Sequence, residues 1–331
     1  MKVIIQIPCL NEEETLPATL ADLPREIDGV DQIETLVIDD GSTDGTIEVA
    51  QQCGVDHIVR LPNNRGLATG FQAGLDACLK LGADIVVNTD ADNQYSGADI
   101  AKLVAPILSG DAEMVVGDRE VADIDHFSPA KKSLQKFGSW VVRRLSDTDV
   151  TDATSGFRAY DKEAALQLLV VDSFTYTLES LIQAGKGNVA VGEVRISTNP
   201  KTRESRLFGS TSTYVRRNAL AILRIYTRYE PLKVFSLMGL IAAIAAVAAW
   251  TPFLYDWVAN GDRTGHIQSL LLGAVLFIVA IQLLALGIIG DLLAGQRVMT
   301  QRVYERVRRI ELELEVEPSN RLDPPRDRSV A

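Results

Sequence analysis

The chain is poor in the residues that usually build metal or disulfide centres. Its three cysteines, Cys9, Cys53 and Cys78, form no CxxC pair and leave one over. That argues against a disulfide framework or a zinc ribbon and for a reducing, cytosolic setting. Its three histidines, His57, His126 and His266, are too scattered in sequence for a clustered metal site, and no Ser/His/Asp arrangement is favoured. Basic residues are in the minority: 33 Lys and Arg face 44 Asp and Glu, a formal net charge of −11. This argues against duplex nucleic acid as a partner. A phosphate-cradling P-loop is missing too. The glycine-rich stretch GLATGFQAG (Gly66 to Gly74) has the spacing GxxxGxxxG and follows the third strand pattern rather than the first, so it meets neither that motif nor the dinucleotide fingerprint. These glycines are expected to allow close helix packing instead.

What charge there is, is unevenly spread. Residues 1–200 hold 32 acids and 16 bases, whereas residues 201–233 hold eight bases and two acids. Behind this basic collar come two runs without an ionisable charge, Val234 to Tyr255 and Ile267 to Gly290. Each exceeds the roughly 20 residues needed to cross a bilayer as a helix. Arginines lie outside both runs, at 216, 217, 224 and 228 and again at 297, 302, 306, 308 and 309, while the short connection carries one. The positive-inside bias therefore predicts an integral membrane protein with two spans, both termini and the front domain in the cytoplasm, and the Asp256 to His266 loop outside. Trp250, Tyr255 and Trp257 fall where an outer aromatic belt belongs. Between Thr213 and Arg228, Val215, Ala219, Ile222 and Tyr226 recur at helical spacing, with Arg217, Arg224 and Arg228 on another face. We read a helix lying along the headgroups, an ordinary surface helix being the plainer reading. Because Met1-Lys2-Val3-Ile4-Ile5 runs straight into a strand pattern ending at Pro8, no cleavable signal peptide is expected. The tail beyond Glu311 is charged, then Pro-rich, and reads as disordered.

In the front half, short Val/Ile-rich runs at 2–8, 33–38, 57–61, 84–89 and 113–117 alternate with helix-length segments, Glu12 to Leu23, Thr43 to Cys53, Leu67 to Leu81 and Gly97 to Leu108. Runs that are apolar throughout suit strands buried on both faces, hence a mostly parallel α/β sheet with right-handed crossovers and a ligand rim at the strands' carboxyl ends. The polar residues fall there: PCLNEE after the first strand, DDGSTDG after the second, NNRG after the third and DADNQ after the fourth. Ser42 and Asp44 have helix capping as an equal alternative. Asp39, Asp90 and Asp92 are harder to dismiss, because crowded carboxylates repel unless a cation or hydrogen-bond donors offset them. Asp90, Asp92 and Gln94 offer the hard oxygen ligands that Mg²⁺ or Mn²⁺ needs when it also holds a diphosphate.

Taken together, PCLNEE (8–13), VIDDGSTDGT (37–46), NNRG (63–66), DADNQ (90–94), VGDR (116–119) and TSGFRAY (154–160) resemble family 2 glycosyltransferases of the GT-A fold, and within them the polyprenyl-phosphate mannose or glucose synthases. The resemblance covers residues 1–230 and, in kind, the spans. It implies a GT-A domain over 1–208, an amphipathic juxtamembrane helix over 209–233, a two-helix membrane region over 234–293 and a cytoplasmic tail over 294–331. It implies that Pro8, Asn11 and Glu12 line the nucleoside pocket, that Asp39 contacts the base or ribose, that Asp90 lies beside the nucleotide, and that Asp92 and Gln94 hold Mg²⁺ or Mn²⁺. Arg119 looks like the acceptor-phosphate ligand, joined by Arg158 and by Arg203 or Arg206, and Asp92, Arg119 and Arg158 form the catalytic set. The chain departs from the family pattern in having Asn93, Tyr95 and Ser96 after the aspartates and Ser205-Arg206 before the spans. Glu179 reads either as a helix-surface acid or as an inward partner of those arginines. The implied reaction is inverting hexose transfer from GDP-mannose or a UDP-sugar to a polyprenyl phosphate at the membrane. Another membrane acceptor, a processive polysaccharide synthase and a non-catalytic scaffold are the alternatives; the chain lacks the QxxRW of the second. A homo-oligomer through the spans is compatible with Gly239, Gly273, Gly287 and Gly290.

Overall fold

The computed structural model describes residues 1–119, 140, 143–144, 146, 148–170, 176–199, 223–224, 226–261 and 266–322. It divides into two compact units, one of residues Met1–Arg217 with Gln301–Ala331 and the other of Asn218–Thr300.

The first unit is built on an eight-stranded sheet. Its strands are β1 (Lys2–Cys9), β2 (Gln32–Asp39), β3 (His57–Arg60), β4 (Ile85–Asn88), β5 (Met114–Asp118), β6 (Arg158–Asp161), β7 (Val191–Arg195) and β8 (Arg321–Leu322). The sheet order is β7-β5-β6-β4-β1-β2-β3-β8. Strands β4, β1, β2 and β3 run parallel, which is what the unbroken apolar runs require: Val3, Ile4, Ile5 and Ile7 are buried, as are Leu36, Val37 and Ile38. Helices α1 (Leu16–Asp22), α2 (Thr46–Gln52), α3 (Leu67–Lys80) and α4 (Ile100–Leu108) connect them. β6 enters antiparallel between β4 and β5, followed by α5 (Lys162–Gln167) and α6 (Tyr176–Lys186). The sequence pattern does not announce β6, since RAYD is four residues long with a charge at each end.

Of the glycines inside α3, Gly74 does allow close packing, whereas a Cβ on Gly70 would make only ordinary contacts at 3.9 Å or more. A Cβ on Gly74 would lie 2.5 Å from Gln6 Oε1 and 2.7 Å from Ile38 Cδ1, so only glycine lets the helix settle on β1 and β2. Gly66 has φ +90°, a conformation that favours glycine at the turn into the helix.

The second unit contains α7 (Pro231–Tyr255) and the apolar part of α8 (Ile267–Glu313). Both are long and apolar enough to cross a membrane. Gly239, Gly273, Gly287 and Gly290 all sit between these two helices, against Ala280, Trp250, Phe235 and Pro231 respectively. Their smallness thus serves contact within the chain.

Past the apolar run the structure differs from expectation. Helix α8 continues to Glu313, 47 residues in all, and β8 pairs antiparallel with β3, matching Leu322 to Ile58 and Arg321 to Val59. The segment read as disordered beyond Glu311 is therefore ordered as far as Leu322. Charge and proline made it look like a solvated tail, but long-range strand pairing holds it. Most of the juxtamembrane segment, including Val215, Ala219 and Ile222, lies outside the described residues.

Candidate active site

The first two rim loops are knitted together by side chains. Asn11 adopts φ +55°; its N–H donates to Ser42 Oγ (2.9 Å) and its Oδ1 accepts from Thr43 N (2.8 Å). Glu12 N donates to Thr46 Oγ1 (2.9 Å), and Glu13 Oε2 accepts from Gly45 N (2.8 Å). Asp44 accepts from Thr46 N (3.1 Å), while Gly45 stands at the N-cap of α2. Ser42 is thus tied to the neighbouring loop rather than capping. Asp40 accepts from the N–H groups of Arg65 and Gly66 (2.8 and 2.9 Å), which brings the NNRG turn alongside. Gly41, at φ +77°, is required there because a Cβ would meet the Asn63 backbone at 2.6 Å.

At the end of β2, Asp39 is wholly buried. Its Oδ1 accepts from Ser42 N (2.9 Å). Its Oδ2 has no hydrogen bond, although Arg60 Nε lies 3.4 Å away. A buried carboxylate oxygen with an ion pair but no hydrogen bond suits a donor arriving from a ligand. Pro8 stands next to Ile38 in the β1–β2 register.

Beyond β4, Asp92 accepts from the backbone and side-chain amides of Gln94 (3.2 and 2.8 Å), so the two expected metal ligands do meet. Among the described residues Asp90 accepts no hydrogen bond, and a Cβ on Gly156 would be 3.4 Å from its Oδ1. Burial and the charge of Asp92 lift the Asp90 carboxyl to about 7; Arg119 opposes this and Glu12 adds to it. Glu12, Asp90, Asp92 and Arg119 therefore share one electrostatic neighbourhood. Crowded carboxylates with hard oxygens, one of them unsatisfied, fit a divalent cation. Among the described residues no group of three His, Cys, Asp or Glu gathers to hold one unaided.

Arg119 is gripped by a buried partner that the sequence reading missed. Its Nε and Nη2 donate to the two oxygens of Asp152 (2.7 and 3.0 Å), and Nη2 also donates to Thr154 Oγ1 (2.9 Å). Burial would raise the Asp152 carboxyl, but the Arg119 hydrogen bonds and charge hold it below the usual range. Thr151 and Asp152 are in turn held through their N–H groups by Glu193 of β7 (2.8 and 3.2 Å).

Arg158 is a correction. It is fully buried and its donors are spent on the carbonyls of Ser155 (2.7 Å), Thr177 (2.7 Å) and Ala153 (2.8 Å) and on Ser180 Oγ (2.9 Å). It braces the turn before β6 against α6 and is not presented to a phosphate. Arg203 and Arg206 lie outside the described residues. Glu179 is buried, hence inward-facing.

Two further groups were missed. Tyr95 stacks on Phe157 (centroids 4.9 Å apart) and its hydroxyl accepts from Gly156 N (3.2 Å). Asn88, wholly buried, donates to Gly156 O (2.9 Å) and accepts from Gln6 (2.9 Å). Together they clamp the peptide that Asp90 rests on. A signal existed: Gln6 and Asn88 are polar residues inside otherwise apolar strands.

The model of the family described as glycosyl transferase family 2 matches residues 4–169. The glycosyltransferase AglJ of Haloferax volcanii is 28% identical over 92% of this chain and 97% of its own length. A UDP-N-acetylglucosamine–dolichyl-phosphate N-acetylglucosaminyltransferase of Methanococcus voltae is 30% identical over 59% of this chain and 85% of its own. An undecaprenyl-phosphate mannosyltransferase of Micrococcus luteus is 31% identical over 53% and 74%. Among solved structures, glucosyl-3-phosphoglycerate synthase from Mycobacterium tuberculosis, with Mn²⁺, UDP-glucose and phosphoglyceric acid bound, superposes with a TM-score of 0.51 at 21% identity, covering 67% of this chain and 79% of that one. With a mostly parallel GT-A-like sheet, strand-end acids and a family match over half its length, the chain belongs to glycosyl transferase family 2 and is a glycosyltransferase.

Proposed function

We propose that the chain transfers a hexose from a nucleoside-diphosphate sugar to a polyprenyl phosphate, with inversion, at the cytoplasmic face of a membrane. The observation that carries this reading is that Asp90 and Asp92 share an electrostatic neighbourhood with Arg119, which Asp152 holds by two hydrogen bonds. The names of relatives that act on dolichyl and undecaprenyl phosphates support the acceptor class; the two apolar helices support residence beside such a lipid.

In this reading Pro8, Asn11, Glu12 and Asp39 receive the nucleoside, and Asp92 with Gln94 hold Mg²⁺ or Mn²⁺ on the diphosphate. The ion would supply charge stabilisation for the leaving diphosphate. Gln94 must then turn its amide away from Asp92 to offer its oxygen. A lipid phosphate is already anionic near neutral pH, so the attack needs positioning more than a general base. Arg119, and Arg203 or Arg206, would position it, since a planar guanidinium grips phosphate at two points. Arg158 contributes by holding the turn that carries Gly156 against Asp90. Residues 1–208, joined by the returning segment 301–322, form the transferase domain, and 234–293 span the bilayer.

The test is transfer of radiolabelled sugar from GDP-mannose, UDP-glucose and UDP-N-acetylglucosamine into organic-soluble lipid, using membranes containing the protein and Mg²⁺ or Mn²⁺, with mass spectrometry of the product. Asp92→Ala is expected to abolish transfer while leaving the domain folded. Unchanged turnover in that variant refutes the metal assignment, and a water-soluble polymer as product refutes the acceptor.

A further inference from the structure

The donor side of the rim hangs from β3, a strand of four residues. Its first neighbour is β2, where Arg60 is paired in register with Asp39 and Leu61 N donates to Asp39 O (2.8 Å). Its other edge is covered by β8. The last bond of that pairing falls on Arg60 itself, whose N–H donates to Asn320 O (3.0 Å), and Leu322 packs against the core. Without β8 the outer edge of this short strand would be unpaired just where it reaches the site, and such ends fray.

The segment carrying β8 is firmly anchored upstream. Arg308 is 2% exposed; its Nη1 donates to Ala165 O (2.9 Å) and its Nε lies 3.4 Å from Asp76. Lys80 bridges Asp76 and Glu311, each at 3.1 Å. The chain then turns through Glu315 and Asn320, both at positive φ (52° and 60°).

Arg60 meanwhile is half exposed, its side chain 51% accessible, with Nε beside Asp39 Oδ2, which accepts no hydrogen bond. A cation with donors to spare, next to a buried acceptor, suits a nucleotide, whose phosphates and carbonyls accept and whose base and ribose donate.

We propose that residues 314–322 are a strap that completes the donor subsite: by closing the free edge of β3 it fixes Arg60 beside Asp39, and Arg60 is a nucleotide-binding residue. The strap acts through Arg60 and is a positioning element. The inference rests on the reading of Asp39 as a donor-site residue.

The experiment is titration of the full-length protein in detergent with UDP and with GDP, each with Mn²⁺, reading the dissociation constant of the tighter one. Arg60→Met is expected to weaken binding roughly tenfold, the effect of losing one charge-assisted hydrogen bond. Asn320→Val, which cannot readily hold positive φ, should weaken it comparably. Asn320→Gly, which can, should restore wild-type affinity. The double variant Arg60→Met/Asn320→Val should bind no worse than the weaker single one, since both remove the same contact. Multiplying losses in the double variant, or wild-type affinity in either single variant, overturns the proposal. Leu322→Asp provides a second way of freeing the strap, should Asn320→Val fold poorly; wild-type affinity there is equally fatal. If Asp39→Asn weakens binding while Arg60→Met does not, this inference alone fails. If neither nucleotide binds the wild type, or Asp39→Asn binds normally, the donor-site reading fails and takes the strap with it.

Discussion

Replacing Arg158 by methionine separates a buried brace from a phosphate ligand. The substitution keeps much of the side chain's length but removes the four donors that now serve Ser155 O, Thr177 O, Ala153 O and Ser180 Oγ. Ser180 loses an acceptor role but keeps the bond its hydroxyl donates to Tyr176 O (2.7 Å), and the same hydroxyl lies 3.3 Å from Thr177 O. The carbonyls of Ser155 and Ala153 are then the two whose arginine donor goes unreplaced. At about 1 kcal/mol for each, the low end of the cost of an unsatisfied buried acceptor, the loss is about 2 kcal/mol. For a domain of this size that corresponds to roughly 4–8 °C in the melting temperature. Unfolding of the detergent-solubilised full chain, followed by near-ultraviolet circular dichroism, measures it. Well below that transition, the KM for lipid phosphate should stay close to wild type. Arg158→Lys should be intermediate, because one ammonium cannot reach acceptors on several sides. A variant that melts like wild type and yet shows a tenfold higher acceptor KM would mean that Arg158 touches the phosphate, and the brace would be refuted.

Gly74→Ala should destabilise although alanine is the better helix former. The new Cβ would stand 2.5 Å from Gln6 Oε1 and 2.7 Å from Ile38 Cδ1, and overpacking at about 1–3 kcal/mol outweighs a propensity gain of about 1 kcal/mol; a raised melting temperature would contradict the packing. For Asp152, burial opposes ionisation but the Arg119 hydrogen bonds and charge win, depressing its carboxyl. Its contribution is therefore full above the ordinary carboxylate value of about 4 and is lost as pH falls through the lower folded value. Asp152→Asn should lower stability at neutral pH and flatten the acid limb of the stability curve below about pH 4. Acid limbs of equal slope would count against the pair.

Much of the site was legible because its parts are local. Strands such as KVIIQIPC and QIETLVID announce buried parallel pairing, and the acids stand at a strand's last residue or two to four residues after it, so Asp39, Asp90 and Asp92 fall at one sheet edge once the crossover rule is applied. Asp152 was not legible as the partner of Arg119, since 33 residues separate them, and neither was Tyr95 as the residue that holds Gly156. Arg158 misled for a different reason: an arginine in a motif reads as a ligand until its burial is known.

The sequence by itself determined the two apolar helices, the α/β alternation and the residues that meet at the rim, because hydrophobic period and strand-end position are properties of short windows. Only the tertiary structure decided which arginine faces the cleft and which is spent on carbonyls, that RAYD slips antiparallel between β4 and β5, and that the segment after α8 returns to pair with β3. The strand pairings depend on contacts between residues tens to hundreds of positions apart, and the Arg158 brace on how the chain folds back around nearby carbonyls. Whether a polar group is a ligand or a brace is settled by which partners the packed chain brings within about 3 Å of it.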